Sequence, residues 1–511
     1  MAVSAGPRPQ ILRIRDASGG LNLRDAQVSL APNESPDTWN CTMDERGAVG
    51  KRLGYEKQNP DPYGGGFVKN EFYWESGQVL ITQAGAKLYK SNSTTEFKTF
   101  TTSARCGFAD FLVSGPANRL YFIHPIDGLF HYDGTTVTAV GDPDAPKGDV
   151  LLAWQNKLFA AGNPGTGAGP RVSWSALADG TTWGASDYND LREKDGEKVV
   201  CLAGSSGVDV QGRQGMIACK LESAYRIIDS ATGEYVTLDT AVGAASALAA
   251  VNANGRTYVI SQAGIFSTDG LSPMREESER LRPLFTPGRL NFAQLALFAA
   301  GTVNGRCYFS VPQAAATEND LAFELHPKQK WIVPRSDAMS CYATYGKNDE
   351  YLVGGSPAVT GQVYRLLKTG GDDTAAIASR WQSRWFEPAD GLLASLLEMQ
   401  ILGRTEGQAD LTIRKDYDAS GGESRTLDIG ASLGEWDTGL LWDDGHLWGP
   451  AKIQEYQKVY SLGTCRAFSL IVEETSALVG TGTQYLQQGT APEVGAWAIY
   501  GWDLKYTTLG G

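Results

Sequence analysis

Apolar and polar residues alternate along most of this chain in short runs that end at glycine turns, the pattern of half-buried β-strands. Three stretches follow nearly one recipe: Gly128-Leu-Phe-His-Tyr-Asp-Gly134, Gly264-Ile-Phe-Ser-Thr-Asp-Gly270 and, more loosely, Gly361-Gln-Val-Tyr-Arg-Leu-Leu367. Each follows an aromatic-rich run, at Arg119–His124, Arg256–Ser261 and Glu350–Gly354. Paired strands that recur along a long chain predict a radial β architecture, a propeller, because one such unit cannot bury both its faces alone.

The most apolar runs centre near Leu80, Tyr121, Phe159, Ile217, Tyr258, Tyr308 and Leu352, at intervals of 41, 38, 58, 41, 50 and 44 residues. These lie near the period of a four-stranded blade and predict six to eight blades, some incomplete, over residues 61–375. The widest interval contains Ala176 to Asp195, which reads as a loop. Long helical patterns are nearly absent, and the best candidate is the charged stretch Glu276 to Leu281.

The two ends read differently. Residues 1–60 are rich in Asn, Asp and Arg and predict an extended arm that adds strands to another domain. Residues 376–511 predict an antiparallel β-sandwich-like platform. Its elements are a strand at Ile377–Phe386, a hairpin of Leu396–Gly403 with Ala409–Asp416, and strands at Arg466–Glu473 and Ala496–Tyr506. The fold class is therefore all-β: propeller, platform and arm.

Composition narrows the function. The formal net charge of -13, from 58 acidic and 45 basic residues, argues against an ordinary nucleic-acid binder, which needs a basic footprint. Seven cysteines are scattered and never spaced as CxxC, which favours buried thiols over a metal site or a disulfide framework. There is no signal-like or membrane-spanning apolar run, so the expectation is folding in a cytoplasm with no membrane anchor.

No set of residues rises to an active site. Ser175-Ala-Leu-Ala-Asp-Gly-Thr-Thr-Trp183 is similar to the Asp-box turn of sialidase-like propellers. Its register is off, however: Ala178 stands where the aspartate belongs and Asp179 comes one residue late. Glycosidase chemistry needs two converging carboxylates. Asp110, Asp127, Glu222, Asp372, Asp373, Glu473 and Glu474 are available, but adjacent ones point to opposite faces of a strand or sit in turns. His124 and His131 form a close pair without a third ligand nearby. Asp437 and Asp443, each after a tryptophan, are too closely spaced to be blade repeats. The glycine runs at 64–66 and 162–169 lack the ending of a phosphate loop. No catalytic, cofactor-binding or metal-ligating residue is singled out, no cofactor is expected, and the chain reads as a non-enzyme.

The arm, however, resembles something known. Ser18-Gly-Gly-Leu-Asn22, Asn33-Glu-Ser-Pro-Asp37, Asn40, Gly47, Lys51-Arg52 and Gly54 are similar to the opening of a family of tailed-phage structural proteins. Arg171-Val-Ser-Trp-Ser175 with Thr182-Trp-Gly-Ala-Ser-Asp-Tyr188, Ala241-Val-Gly243 and the Trp-Asp turns near the end resemble later parts of that family. Its nearest members are the nozzle proteins (tail tubular protein B) of short-tailed phages and related β-propeller minor tail proteins. The resemblance implies a virion protein of the tail, assembled in the host cytoplasm as a homohexameric ring below the portal and head-tail adaptor. It also implies contacts with tail fibres or spikes, and genome DNA ejected through the lumen without sequence-specific binding. The acidic excess adds the expectation of an acidic or neutral lumen. The alternative is a glycan-binding or sialidase-like propeller for host attachment, which predicts a deep axial pocket lined by arginines and carboxylates.

Overall fold

A computed structural model of the chain describes residues 9–43, 47–91, 93–112, 118–165, 167–192, 195–346, 350–373, 375–388, 392–405, 409–415, 423–427, 455–474 and 497–508. The Trp-Asp turns at Asp437 and Asp443 lie outside the described residues. The protein is all-β. Helical turns among the described residues are short 3-10 segments such as Glu279–Leu284 and Phe292–Leu297. Of the charged stretch Glu276 to Leu281, Glu276 ends the short strand Arg275–Glu276 and the remainder enters the 3-10 segment, with Pro283 inside it. The chain divides into two compact units.

One unit comprises residues 56–328 and 336–367 and is built from seven antiparallel sheets in chain order. The blades begin with innermost strands Val68–Trp74, Gly107–Leu112, Val150–Trp154, Cys201–Val208, Ala250–Ala253, Ala299–Val303 and Tyr342–Tyr345. Each innermost strand neighbours the next, and the seventh neighbours the first, so the ring is closed. The blade number is seven.

All seven apolar runs singled out in the sequence are second strands, one out from the axis: Val79–Ala84, Asn118–His124, Lys157–Ala161, Gln214–Cys219, Arg256–Ser261, Arg306–Val311 and Tyr351–Gly355. Second strands are covered on both faces by neighbouring blades, so Tyr121, Phe122 and Ile123 are all fully buried in succession. Innermost strands have a freer edge and a mixed pattern, as Tyr342–Tyr345 shows, and so gave the weaker sequence signal. The faces between blades carry the cores. Trp74, Phe108 and Phe122 fill the space between the first and second blades, while Phe159, Trp174 and Tyr225 fill that between the third and fourth.

Ala176–Asp195 is not simply a loop. Asp179–Asp190 is a 12-residue outer strand of the third blade, paired with Arg171–Ala176 through two register shifts. The shifts let a stretch of Thr, Trp and Tyr that lacks strict alternation remain in the sheet.

The ring closes where the segment entering it meets the last blade. The Gln58 amide donates to the Val363 carbonyl at 2.8 Å and the Tyr63 amide to the Gly361 carbonyl at 2.9 Å. The Asn59 carboxamide accepts from the Val363 amide at 2.7 Å and from the Gln362 side chain at 2.6 Å.

The other unit comprises residues 1–55, 329–335 and 368–511 and contains a two-sheet sandwich. In one sheet the order is Cys41–Met43, Val49–Lys51, Trp497–Thr508, Ala394–Thr405, Glu455–Cys465, with Gln10–Ile14 also on Trp497–Thr508. In the other it is Asp37–Trp39, Ser379–Gln382, Phe468–Glu474, Ala409–Lys415, Glu423–Leu427. The arm therefore supplies strands to both sheets. Trp381 and Trp502 meet edge to face at 5.6 Å, and Phe386 stacks on Phe468 at 5.5 Å. Such pairs add about 0.5–1.5 kcal/mol each beyond the area they bury.

The expected hairpin across residues 404–408 does not form. Ala394–Thr405 pairs with Glu455–Cys465 and Trp497–Thr508, whereas Ala409–Lys415 pairs with Phe468–Glu474 and Glu423–Leu427 in the other sheet. Met399 and Ile401 on the first strand and Ile413 on the second belong to one core from its two sides. Crossing between sheets buries both apolar sets, which a flat hairpin cannot do.

Candidate functional site at the propeller axis

Residues at or just before the innermost strands gather at one mouth of the axis. Arg105 lies two residues ahead of the second blade's Gly107–Leu112. Its Nε donates to the Lys69 carbonyl at 3.2 Å and its Nη2 to the Ala296 carbonyl at 2.9 Å. Lys69 belongs to the first blade, and Ala296 lies just ahead of the sixth blade's innermost strand. The guanidinium thus ties the first and second blades to the segment that leads into the sixth.

The mouth is electrostatically uneven. The Lys69 ammonium has no hydrogen-bond or ion-pair partner among the described residues. Burial, and then the positive charge of Arg105, hold its pKa below the usual lysine value. Burial likewise lowers Arg105. Asp149, just ahead of the third blade, is pushed up by burial against the opposing pull of Lys198 and Arg105. The Lys198 Nζ stands 4.0 Å from Asp149 Oδ2.

Glu71, two residues along the strand from Lys69, is 4% exposed, and neither carboxyl oxygen has a hydrogen-bond partner. Burial raises its pKa well above the ordinary carboxyl range and favours the uncharged acid.

Lys69 and Arg105 were not singled out from the sequence. They are single cations 36 residues apart, and their one shared signal is a place at the start of an innermost strand.

The residues that were weighed from the sequence do not converge. His124 stacks on Phe100 at 4.5 Å, and its Nδ1 accepts from the Ile126 and Asp127 amides at 3.3 and 3.1 Å. His131 lies against Tyr121 on the opposite face of the same blade, with Arg119 Nη1 at 3.0 Å from its Nδ1. The two imidazoles cannot share a metal, and burial holds both below the usual histidine pKa.

In the Asp-box-like turn Ala178 takes φ +55°. Asp179, although one residue late, accepts from the Thr181 amide and hydroxyl at 2.8 and 2.6 Å. Trp183 is buried, with its indole N–H on the Gly180 carbonyl at 3.0 Å. The aspartate serves the turn.

Asp110 accepts from Ser76 and Asp127 from Thr101, while Glu222 accepts from Gln262. Asp372 grips Arg52, and the Asp373 amide donates to the Tyr55 carbonyl. Glu473 pairs with Arg380 at 3.1 Å, whereas its neighbour Glu474 turns inward to Lys51 at 2.8 Å. All seven cysteines are buried and unbridged, and burial pushes Cys201 up to about 12. Such thiols are poor nucleophiles and poor ligands.

The motif residues of the arm are held tightly inside their own unit. A Cβ on Gly19 would stand 2.6 Å from the Asn33 carbonyl oxygen, so only glycine permits that approach. Asn22 donates to Glu34 at 2.9 Å. The buried Arg52 guanidinium reaches Asn40 through Nε at 2.8 Å and Asp372 through both terminal nitrogens.

The chain matches no protein-family profile and no curated protein. Among solved structures it is similar to PorZ, described as an essential bacterial surface component of the type-IX secretion system of Porphyromonas gingivalis. The identity is 13%, the TM-score 0.39, and the match covers 60% of this chain and 37% of that one. This chain thus spans little more than a third of that protein's length. No helix among the described residues is long and apolar enough to cross a membrane.

Proposed function

We propose that this chain is a structural virion protein of a tailed bacteriophage, one of six copies forming a tail ring below the portal and adaptor through which the genome is ejected. The observation that carries the reading is the set of arm residues behind the resemblance. Gly19, Asn22 and Glu34 hold the arm's own turns together, while Asn40, Lys51, Arg52 and Gly54 fasten it to the C-terminal segment by hydrogen bond, ion pair or close approach. A motif with so many structural members is a signature of one way of folding an arm, and that arm is similar to the nozzle family's. The propeller and sandwich suit a scaffold that displays surface rather than one that performs chemistry.

The hexamer rests on the resemblance alone, because the arm's strands are paired within their own chain. In the ring, DNA passes without sequence-specific contacts, and the acidic excess keeps the duplex from adhering. The neighbours are the adaptor or portal on one side and fibres or spikes on the other.

The test is immunolabelling and averaged imaging of purified particles, with an antibody against this chain. Six copies at the unique vertex are expected. A particle that lacks the chain, or that carries one or three copies there, overturns the proposal.

A further inference from the structure

Glu71 points into the seam where the two ends of the ring meet. Successive side chains of Val68–Trp74 leave opposite faces of the strand. Phe72 stacks on Phe108 of the second blade at 5.9 Å, whereas Tyr73, on the other face, packs on Tyr345 of the seventh at 4.8 Å. Glu71 shares the face of Tyr73, and the residues opposite the two across the strand pair are Thr82 and Leu80. Leu80 belongs to one apolar cluster with Tyr63, Val68 and Tyr89 on the first-blade side and Cys341, Val353 and Val363 of the seventh blade. The Ser340 hydroxyl donates to the Val68 carbonyl across the same seam at 2.6 Å. Into this apolar seam the sequence sets a carboxyl group with neither oxygen hydrogen-bonded.

No cation answers it. The titratable groups on which Glu71 acts are Tyr63, from the entering segment, and Cys341, from the seventh blade; burial, and then Glu71, pushes both up and keeps them neutral. Tyr73 is raised by burial and then by Tyr345, Glu350 and Glu75. The charges that act on Tyr89 are Lys87 and Glu96, and Lys69 is influenced by Arg105.

We propose that Glu71 is a pH latch on the propeller: the seam between the first and seventh blades stays shut while this carboxyl is uncharged and opens locally when it ionises. An unpaired carboxylate in an apolar seam is strongly disfavoured, and parting the two blades lets it reach water. The closed seam therefore holds the proton more tightly than the open one, in which the acid regains its ordinary pKa. Closure is at full strength below that ordinary value. Above it, closure weakens about tenfold for each pH unit until the closed-state value is passed. The inference does not rest on the tail-ring reading.

Amide hydrogen exchange of the full chain at about pH 5, 6.5 and 8, corrected for the intrinsic pH dependence of exchange and read by mass spectrometry, tests it. Peptides from Val79–Ala84 and Tyr342–Tyr345, which flank the seam, should lose protection by about tenfold per pH unit. Those from Lys157–Ala161 and Gln214–Cys219, in the third and fourth blades, should keep theirs. In Glu71→Gln, and in Glu71→Met should the amide disturb the packing, the seam should stay protected throughout. Three outcomes overturn the proposal: a parent seam that keeps its protection to pH 8, the same loss in the variants, or equal loss in both pairs of blades, which would mark general unfolding rather than a latch.

Discussion

Arg52 holds Asp372 through both terminal guanidinium nitrogens, at 2.8 and 2.6 Å, across 320 residues of sequence. The arginine is fully buried and the aspartate nearly so, and the arginine's Nε is satisfied by Asn40. The pair joins the end of the arm to the start of the C-terminal segment within one unit.

Removing one partner should strand the other. Asp372→Ala is expected to destabilise the unit by about 3–5 kcal/mol, because it leaves a buried guanidinium without its counter-charge. An Arg52→Met, Asp372→Leu double variant should lose less than the sum of the singles. Urea unfolding followed by tryptophan fluorescence reads both, and strict additivity would show that the pair contributes no coupling.

Glu71 makes stability depend on pH with a definite sign. Its folded pKa lies above the unfolded value, so the folded state binds the proton more tightly. The contribution is fully present below the ordinary glutamate pKa and is lost as pH rises through the folded value. Glu71→Gln cannot ionise and should therefore gain stability relative to the parent from pH 5 to pH 8. Parallel stability profiles for the two proteins would refute this.

Gly54 is closed to any side chain. A Cβ there would stand 2.0 Å from the Gly371 carbonyl oxygen, which is backbone and cannot swing away. Gly54→Ala should cost about 1–3 kcal/mol through a forced backbone shift. A melting temperature equal to the parent's would mean that the two segments part without strain.

His124 serves its turn as an acceptor. Substitution by Phe keeps the stacking on Phe100 but leaves the Ile126 and Asp127 amides without their acceptor, at a cost of about 1–3 kcal/mol. The imidazole, held neutral by burial, should resist protonation. As pH falls below the usual histidine value the unfolded chain takes the proton first, so this group's contribution declines on acidification. Selective histidine labelling and NMR titration will show its midpoint below that of a histidine in the unfolded chain.

The sequence revealed the blades through one kind of strand. Leu80, Tyr121, Phe159 and their counterparts sit in strands covered on both faces, where every position can be apolar. Innermost strands such as Ala250–Ala253 carry few such residues and left little trace. The partner of Ala409–Lys415 was misjudged because strand length and alternation do not say whether the next strand lies beside it or across a core. Arg105 was invisible for another reason. Its role comes from where a seven-membered ring brings Lys69 and Ala296 together, and no local pattern encodes that meeting.

The pairing of Gln58 and Asn59 with Gln362 and Val363 also bears on how the chain comes off the ribosome. Seven blades emerge in order, but the ring stays open until about three hundred residues after Asn59 have been made. Gln10–Ile14 and Asp37–Trp39 wait longer still, for partners at residues 502–506 and 380–382. The earliest strands are thus the last to be paired, and through most of synthesis their edges are open to any other nascent strand. Premature termination before Val363 should therefore leave an open, aggregation-prone ring rather than a smaller folded protein.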